Sequence, residues 1–211
     1  MLTVHHLGKS QSERIVWLCE ELGVPYDLKL YQRAPVMAPP DYKALHPMGN
    51  APVINDGDVT LAESGAVVDY ILAKYGDGRL VLTKDHPDFA QYLYWLHFAN
   101  GTVQPALMRV LISNRIKPDG DHPAIAIGKQ RLELCFSLLD QRLAKATWLA
   151  GDDFTAADIM TVWCLTTMRY YQPVDLAPYP NIRAYLKRIG ARDAYRRAMT
   201  KGDPGMELLL A

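Results

Sequence analysis

Cysteine is scarce in this 211-residue chain: Cys19, Cys135 and Cys164 lie far apart, odd in number and without a CxxC pair. That pattern speaks against a disulfide framework and suits a reducing cytoplasm. Net charge is missing too. The 23 basic residues balance 23 acidic ones, so there is no electrostatic case for nucleic acid. No apolar run approaches the roughly 18 residues of a membrane span. Met1-Leu2-Thr3-Val4-His5 lacks the charged start and long apolar core of a secretory leader. Internal repeats and low-complexity segments are lacking. The expectation is a cytoplasmic protein with neither a membrane nor a nucleic-acid partner, long enough for one large domain or two modest ones with real cores.

What is present divides in two. Leu2 to His6 reads as a short strand and Ser12 to Leu22 as a helix, with Ile15, Leu18, Cys19 and Leu22 forming one buried stripe. Gly23 caps that helix and Pro25 stops it. Tyr26 to Tyr31 reads as a second strand. A proline-rich stretch follows (Pro35, Pro39, Pro40), then a helical turn near Asp41 to Leu45. Asp56-Gly57 between two apolar runs is a hairpin signal, and Ser64 to Tyr75 is a closing helix. Beyond residue 76 no segment reads as a strand. Residues 77–87 form the expected linker and 88–211 an all-helical domain. Within it, Pro105 should kink or break a long helix that starts near Phe89. Leu132, Cys135, Phe136, Leu139 and Leu143 mark a second helix. Thr155 with Asp158 opens a third by a capping box, a folding device rather than a chemical one. Asn181 to Ile189 and Arg192 to Met199 are shorter helices.

Residues 50 to 70 carry most of the functional information. Pro52 cannot donate to a sheet ladder, so it belongs where a strand begins. With a cis bond to it, Ala51 turns its N–H and C=O outward, free to pair with an extended peptide. Ser64 at a helix mouth offers a hydroxyl and unpaired backbone N–H groups to a carboxylate. Glu63 beside it supplies a charge for a ligand ammonium. A carboxylate pocket, an ammonium partner and a strand-like edge describe an α-amino acid linked to a peptide.

The strand before Ser10-x-x-x-Arg14, the Asn50-Ala51-Pro52 turn and Glu63-Ser64 together resemble the cytosolic glutathione transferases, bacterial Ser-type members among them. The resemblance runs from Met1 to about Met199. It implies a fold that is α/β plus all-α, a thioredoxin-like N-terminal domain (1–76) followed by a helical-bundle C-terminal domain that carries the electrophile pocket and dimer contacts. It implies glutathione as cosubstrate, bound by Asn50, Ala51, Pro52, Glu63 and Ser64, with no metal. It implies a homodimer that conjugates the glutathione thiolate to a small hydrophobic electrophile, with reduction of organic hydroperoxides as an accessory reaction. The alternative is a non-catalytic relative used for regulation or assembly.

Such enzymes lower the pKa of the bound thiol. A free thiol has a pKa of about 8.5, and lowering it by about 2 units takes roughly 2.7 kcal/mol of preferential thiolate stabilisation. A hydroxyl donor and the positive end of a helix both contribute. By the resemblance Ser10 is the catalytic hydroxyl. Ser12 is the rival, with N-capping as its ordinary role. His5 and His6 stand where Tyr-type members carry their tyrosine. Adjacent strand residues face opposite ways, so one at most meets the site, and a core or interface role is the expectation. Cys19 reads as packing, and Arg14 as a structural charge near the turn or a subunit contact.

Overall fold

The computed structural model describes residues 1–116 and 122–211. By internal packing the chain falls into two units, residues 1–81 with 189–208, and 82–188 with 209–211. Among the described residues no helix is long and apolar enough to cross a membrane.

The first unit is built on a four-stranded sheet in the order β2-β1-β3-β4: β1 (Leu2–Leu7), β2 (Asp27–Tyr31), β3 (Val53–Asp56) and β4 (Val59–Ala62). β1 pairs parallel with β2, His6 opposite Leu30, and antiparallel with β3, His5 opposite Val53. β3 and β4 close a tight hairpin around Gly57, whose φ of 59° glycine adopts without strain. Helix α1 (Glu13–Leu22) ends at Gly23 in the left-handed conformation, as the Gly-x-Pro signal predicts. The short α2 (Pro40–Lys43) brings Tyr42 into a cluster with Leu7, Ala38 and Val53. α3 (Ser64–Tyr75) matches the expected bounds. This is the thioredoxin-like arrangement that the resemblance implies.

Helix α9 (Asp193–Gly202), within the stretch 88–211 expected as the helical domain, packs in the first unit. Trp17 meets Tyr195 edge to face at 4.8 Å. Glu20 accepts from Lys201 at 2.6 Å and Arg197 at 3.0 Å, and Glu21 takes a two-pronged contact from Arg192 at 2.7 Å. Covered by α9, α1 is buried on more than its predicted stripe: Val16, Trp17 and Glu20 are enclosed along with Ile15 and Leu18.

The second unit is helical: α4 (Phe89–Phe98), α5 (Gln104–Ile116), α6 (Pro123–Leu143), α7 (Ala156–Leu165) and α8 (Pro180–Gly190), the last with residues 189 and 190 counted in the first unit. Pro105 does not break the long helix. A π-helical segment over Ala99–Val103 joins α4 to α5, a wider turn placed just where proline removes a ladder donor. The α7 capping box forms as expected, the Asp158 carboxylate accepting from the Thr155 N–H at 2.9 Å.

Candidate functional site

Of the predicted residues, Ser10 lies at the mouth of α1 and Glu63 and Ser64 at the mouth of α3, while Asn50, Ala51 and Pro52 lead into β3. At α1, Ser10 follows Lys9, a non-glycine residue with φ of 52°, and the turn is held by the Arg33 guanidinium. That group donates to the Gly8 carbonyl at 2.9 Å and the Val36 carbonyl at 2.7 Å. Ser10 Oγ accepts from the Ser12 N–H at 3.2 Å, and the Ser10 carbonyl accepts the Glu13 N–H at 3.1 Å, so Ser10 does the local capping. Ser12 does not. Its backbone is already helical and its hydroxyl makes no cap bond. That hydroxyl turns inward to Ser10 Oγ at 2.7 Å and His6 Nδ1 at 3.0 Å, and it accepts the Leu7 N–H at 3.1 Å.

At α3, Glu63 takes φ of 71° and ψ of 113°, a conformation costly for any residue with a Cβ. Strain of about 1–3 kcal/mol persists only where surrounding structure imposes it, and such residues cluster at ligand sites. The kink leaves the Glu63 side chain exposed, while the next residue, Ser64, is buried at the first position of the helix. The Glu63 carbonyl accepts the Val67 N–H at 2.9 Å, and the N–H groups of the preceding turn point out of the helix end.

The two mouths are joined by Arg14. Its guanidinium is buried and donates through Nη1 to Gln11 Oε1 at 2.8 Å and Ser64 Oγ at 3.2 Å; Ser64 Oγ also lies 3.4 Å from Gln11 Oε1. A fixed positive charge therefore sits under the serine expected to meet a carboxylate, adding to the helix end's own partial charge. Of the two roles expected for Arg14, this geometry fits the structural charge near the turn, with the side chain enclosed within its own unit. Ala51 precedes Pro52 through a cis bond, one residue ahead of the β1–β3 ladder, and Asn50 is exposed beside it.

The histidines divide by face, as alternation requires. His5 bonds Tyr31 at 2.9 Å and Asn55 at 2.7 Å, and burial lowers its pKa. His6 faces the α1 and α9 side, bonded to Ser12 and, through Nε2, to Asp203 Oδ2 at 3.0 Å. Nothing local announces Asp203, which lies 197 residues away. Cys19 is enclosed, and burial pushes its thiol up to about 12, which leaves it inert as a nucleophile. Among the described residues no group of three or more His, Cys, Asp or Glu could hold a metal.

Residues 10–74 match the glutathione S-transferase N-terminal domain and residues 119–188 the glutathione S-transferase C-terminal domain. "Glutathione S-transferase 3" of Schizosaccharomyces pombe is 32% identical over 216 residues, 95% of this chain and 88% of that protein. A crystal structure of a glutathione S-transferase from Actinobacillus pleuropneumoniae superposes with a TM-score of 0.89 at 36% identity, covering 98% of this chain and 95% of that one. A second, a glutathione transferase from Phanerochaete chrysosporium solved with oxidized glutathione, gives 0.75 at 23% identity over 95% and 94%, which speaks for the fold alone.

Proposed function

The chain belongs to the glutathione S-transferase family and is a glutathione-dependent transferase, and from that premise we propose how its first unit takes the tripeptide. The glutathione α-carboxylate meets the Ser64 hydroxyl and the α3 N–H groups, with the Arg14 charge beneath them. Glu63 takes the ammonium, the Ala51 edge pairs with the peptide backbone, and Asn50 meets the glycyl end. The thiol then reaches the mouth of α1, where the Ser10 hydroxyl donates to the developing thiolate. The observation that carries this reading is the Gln11–Arg14–Ser64 bridge, which ties the carboxylate end and the thiol end of one extended ligand to a single buried group.

The reaction is attack of that thiolate on a small hydrophobic electrophile, with reduction of organic hydroperoxides open to the same nucleophile. We place it in a cytoplasmic homodimer. Three buried free thiols suit a reducing compartment, exposed Leu93, Tyr94, Met108 and Ile112 leave apolar surface to cover, and two-fold pairs are the commonest soluble homo-oligomer.

Ser10→Ala tests the assignment. Conjugation of a chloro-nitrobenzene substrate should slow by roughly 10- to 1,000-fold, the cost of losing one charge-assisted donor. The pKa of the bound thiol should rise. Turnover near that of the parent would take thiol activation away from this hydroxyl.

A further inference from the structure

Behind Ser10 runs a buried hydrogen-bonded chain that donation to sulfur does not by itself require. Ser10 Oγ lies 2.7 Å from Ser12 Oγ, Ser12 Oγ lies 3.0 Å from His6 Nδ1, and His6 Nε2 lies 3.0 Å from Asp203 Oδ2. Ser12, His6 and Ser10 are 0, 1 and 4% exposed. The other Asp203 oxygen accepts the Lys9 N–H at 2.9 Å, which fixes the carboxylate. Two glycines make room for the approach. A Cβ at Gly202 would stand 3.2 Å from His6 Nε2, and one at Gly8 would stand 3.3 Å from Asp203 Oδ1.

We propose that Ser12, His6 and Asp203 are a proton relay that receives, through Ser10, the proton lost by the glutathione thiol. The proposal rests on the reading of Ser10 as the hydroxyl at the sulfur. Its logic is donor bookkeeping. A carboxylate only accepts, so His6 Nε2 carries a proton toward Asp203, and in the neutral ring Nδ1 is bare. The Ser12 O–H then donates to Nδ1, with the Leu7 carbonyl at 3.4 Å the weaker acceptor. Ser12 Oγ accepts from the Leu7 N–H and from the Ser10 O–H, so in this state the Ser10 proton points inward.

Reversing the chain turns it outward. The Ser12 proton passes to Nδ1, the Ser10 proton to Ser12, and the thiol proton to Ser10. The S–H bond breaks, an N–H bond forms, and one O–H bond is exchanged at each serine. The products are a thiolate that accepts from Ser10 and an imidazolium bonded to the part-buried Asp203, whose negative charge stabilises the positive ring. After the thiolate attacks, the proton returns by the same path to the anionic leaving group or to water. Ser12, His6 and Asp203 touch no substrate and act as positioning residues through Ser10. The other charged side chains on the elements around His6 are Asp27 and Lys29 on β2, Asp56 on β3, Lys9 and Arg33 at the turn, Glu13, Arg14, Glu20 and Glu21 in α1, and Asp193, Arg196, Arg197 and Lys201 in α9, with Arg197 and Lys201 engaged by Glu20.

The test is a proton inventory. Glutathione binding to the intact protein is measured by calorimetry in buffers of differing ionisation enthalpy, while the ultraviolet band of the thiolate reports its ionisation. With the parent, the thiolate should form with little proton release to buffer. With His6→Gln and Asp203→Asn, whichever thiolate forms should be accompanied by release of about one proton per site, and its titration midpoint should move up by about one unit or more. Gly202→Ala keeps every relay group but crowds the His6 ring, so it supplies an independent variant that should fall between. Equal proton release from parent and variants at equal thiolate would overturn the relay while leaving the Ser10 assignment intact. Failure of the parent to form any thiolate would overturn both.

Discussion

Thr155 at the start of α7 and Ser12 at the start of α1 are both hydroxyl residues at helix mouths, and their surroundings treat them oppositely. At α7 the polar groups close on one another. A single buried carboxylate, Asp158, accepts from the Thr155 N–H, the Thr155 hydroxyl, the Leu149 N–H and the Tyr185 hydroxyl, all between 2.9 and 3.4 Å. No capacity is left for a ligand. At α1 the hydroxyls form an ordered line from Asp203 to Ser10, which lies at the start of the helix and meets the hydroxyl and N–H of Ser12. Local satisfaction makes a hinge pin, whereas satisfaction reached through distant partners leaves an end to offer.

The sharpest way to break this comparison is Asp158→Ala. It strands two backbone N–H groups, Leu149 and Thr155, and two hydroxyls, Thr155 and Tyr185, each costing about 1–3 kcal/mol when buried without a partner. A loss of about 3–5 kcal/mol in unfolding free energy is expected, read from denaturant midpoints. A loss under about 1 kcal/mol would mean that this mouth is held by apolar packing alone. Such a result would dissolve the contrast with α1.

Glu63 sharpens the other side, since strain and binding should respond with opposite signs. Glu63→Gly relieves a backbone at φ of 71° and should raise stability by roughly 0.5–2 kcal/mol after the glycine entropy cost. The same change removes the ammonium partner and should weaken retention on immobilised glutathione by about 1–3 kcal/mol. Ser64→Ala should weaken retention on the same scale without the gain in stability, because it leaves the Glu63 backbone as it was. Loss of stability in Glu63→Gly, or unchanged retention in both variants, would remove the case for a strained ligand site.

These contrasts follow how far each feature could be read along the chain. The α1 stripe of Ile15, Leu18, Cys19 and Leu22, the α6 stripe from Leu132 to Leu143, the Asp56-Gly57 turn and the Thr155–Asp158 cap all rest on partners within a few residues. Each appears where local periodicity or turn chemistry puts it. Capping α1 is the ordinary local role of Ser12, but His6 competes for the hydroxyl from β1. Ala194, Tyr195, Ala198 and Met199 announce that α9 buries a face without saying against which unit, and that choice is made by Trp17, Glu20 and Glu21 far upstream. The π segment before Pro105 is similar: the proline predicts a disturbed ladder, but whether the helix breaks or widens depends on what packs around it.

A last comparison sets Asp158 against Asp56, two carboxylates that each collect several donors and yet titrate in opposite directions. Full burial pushes the Asp158 carboxyl up to about 6. The folded state therefore holds this proton more tightly than the unfolded chain, so the stability it adds is complete below the ordinary carboxylate range and lost as pH rises through about 6, above which the four donors hold the ionised form. Asp56 is held down to about 2, first by Lys74 Nζ at 2.6 Å and then by the Tyr75 hydroxyl at 2.6 Å, with the Tyr70 hydroxyl at 2.9 Å adding to them. Its stabilising form is the ionised one, present above the ordinary carboxylate value near 3.9 and lost as pH falls through about 2. Lys74→Met removes the leading cause while both tyrosines stay, so the Asp56 pKa should move back toward the ordinary value. The effect near neutral pH should be small, since the Lys74 end of the pair is largely in water. In acid the variant should begin to lose stability close to pH 4 where the parent holds on to lower pH, as followed by circular dichroism across a pH series. Coincident acid transitions for the two proteins would assign the depressed Asp56 pKa to the tyrosines and leave Lys74 with no part in it.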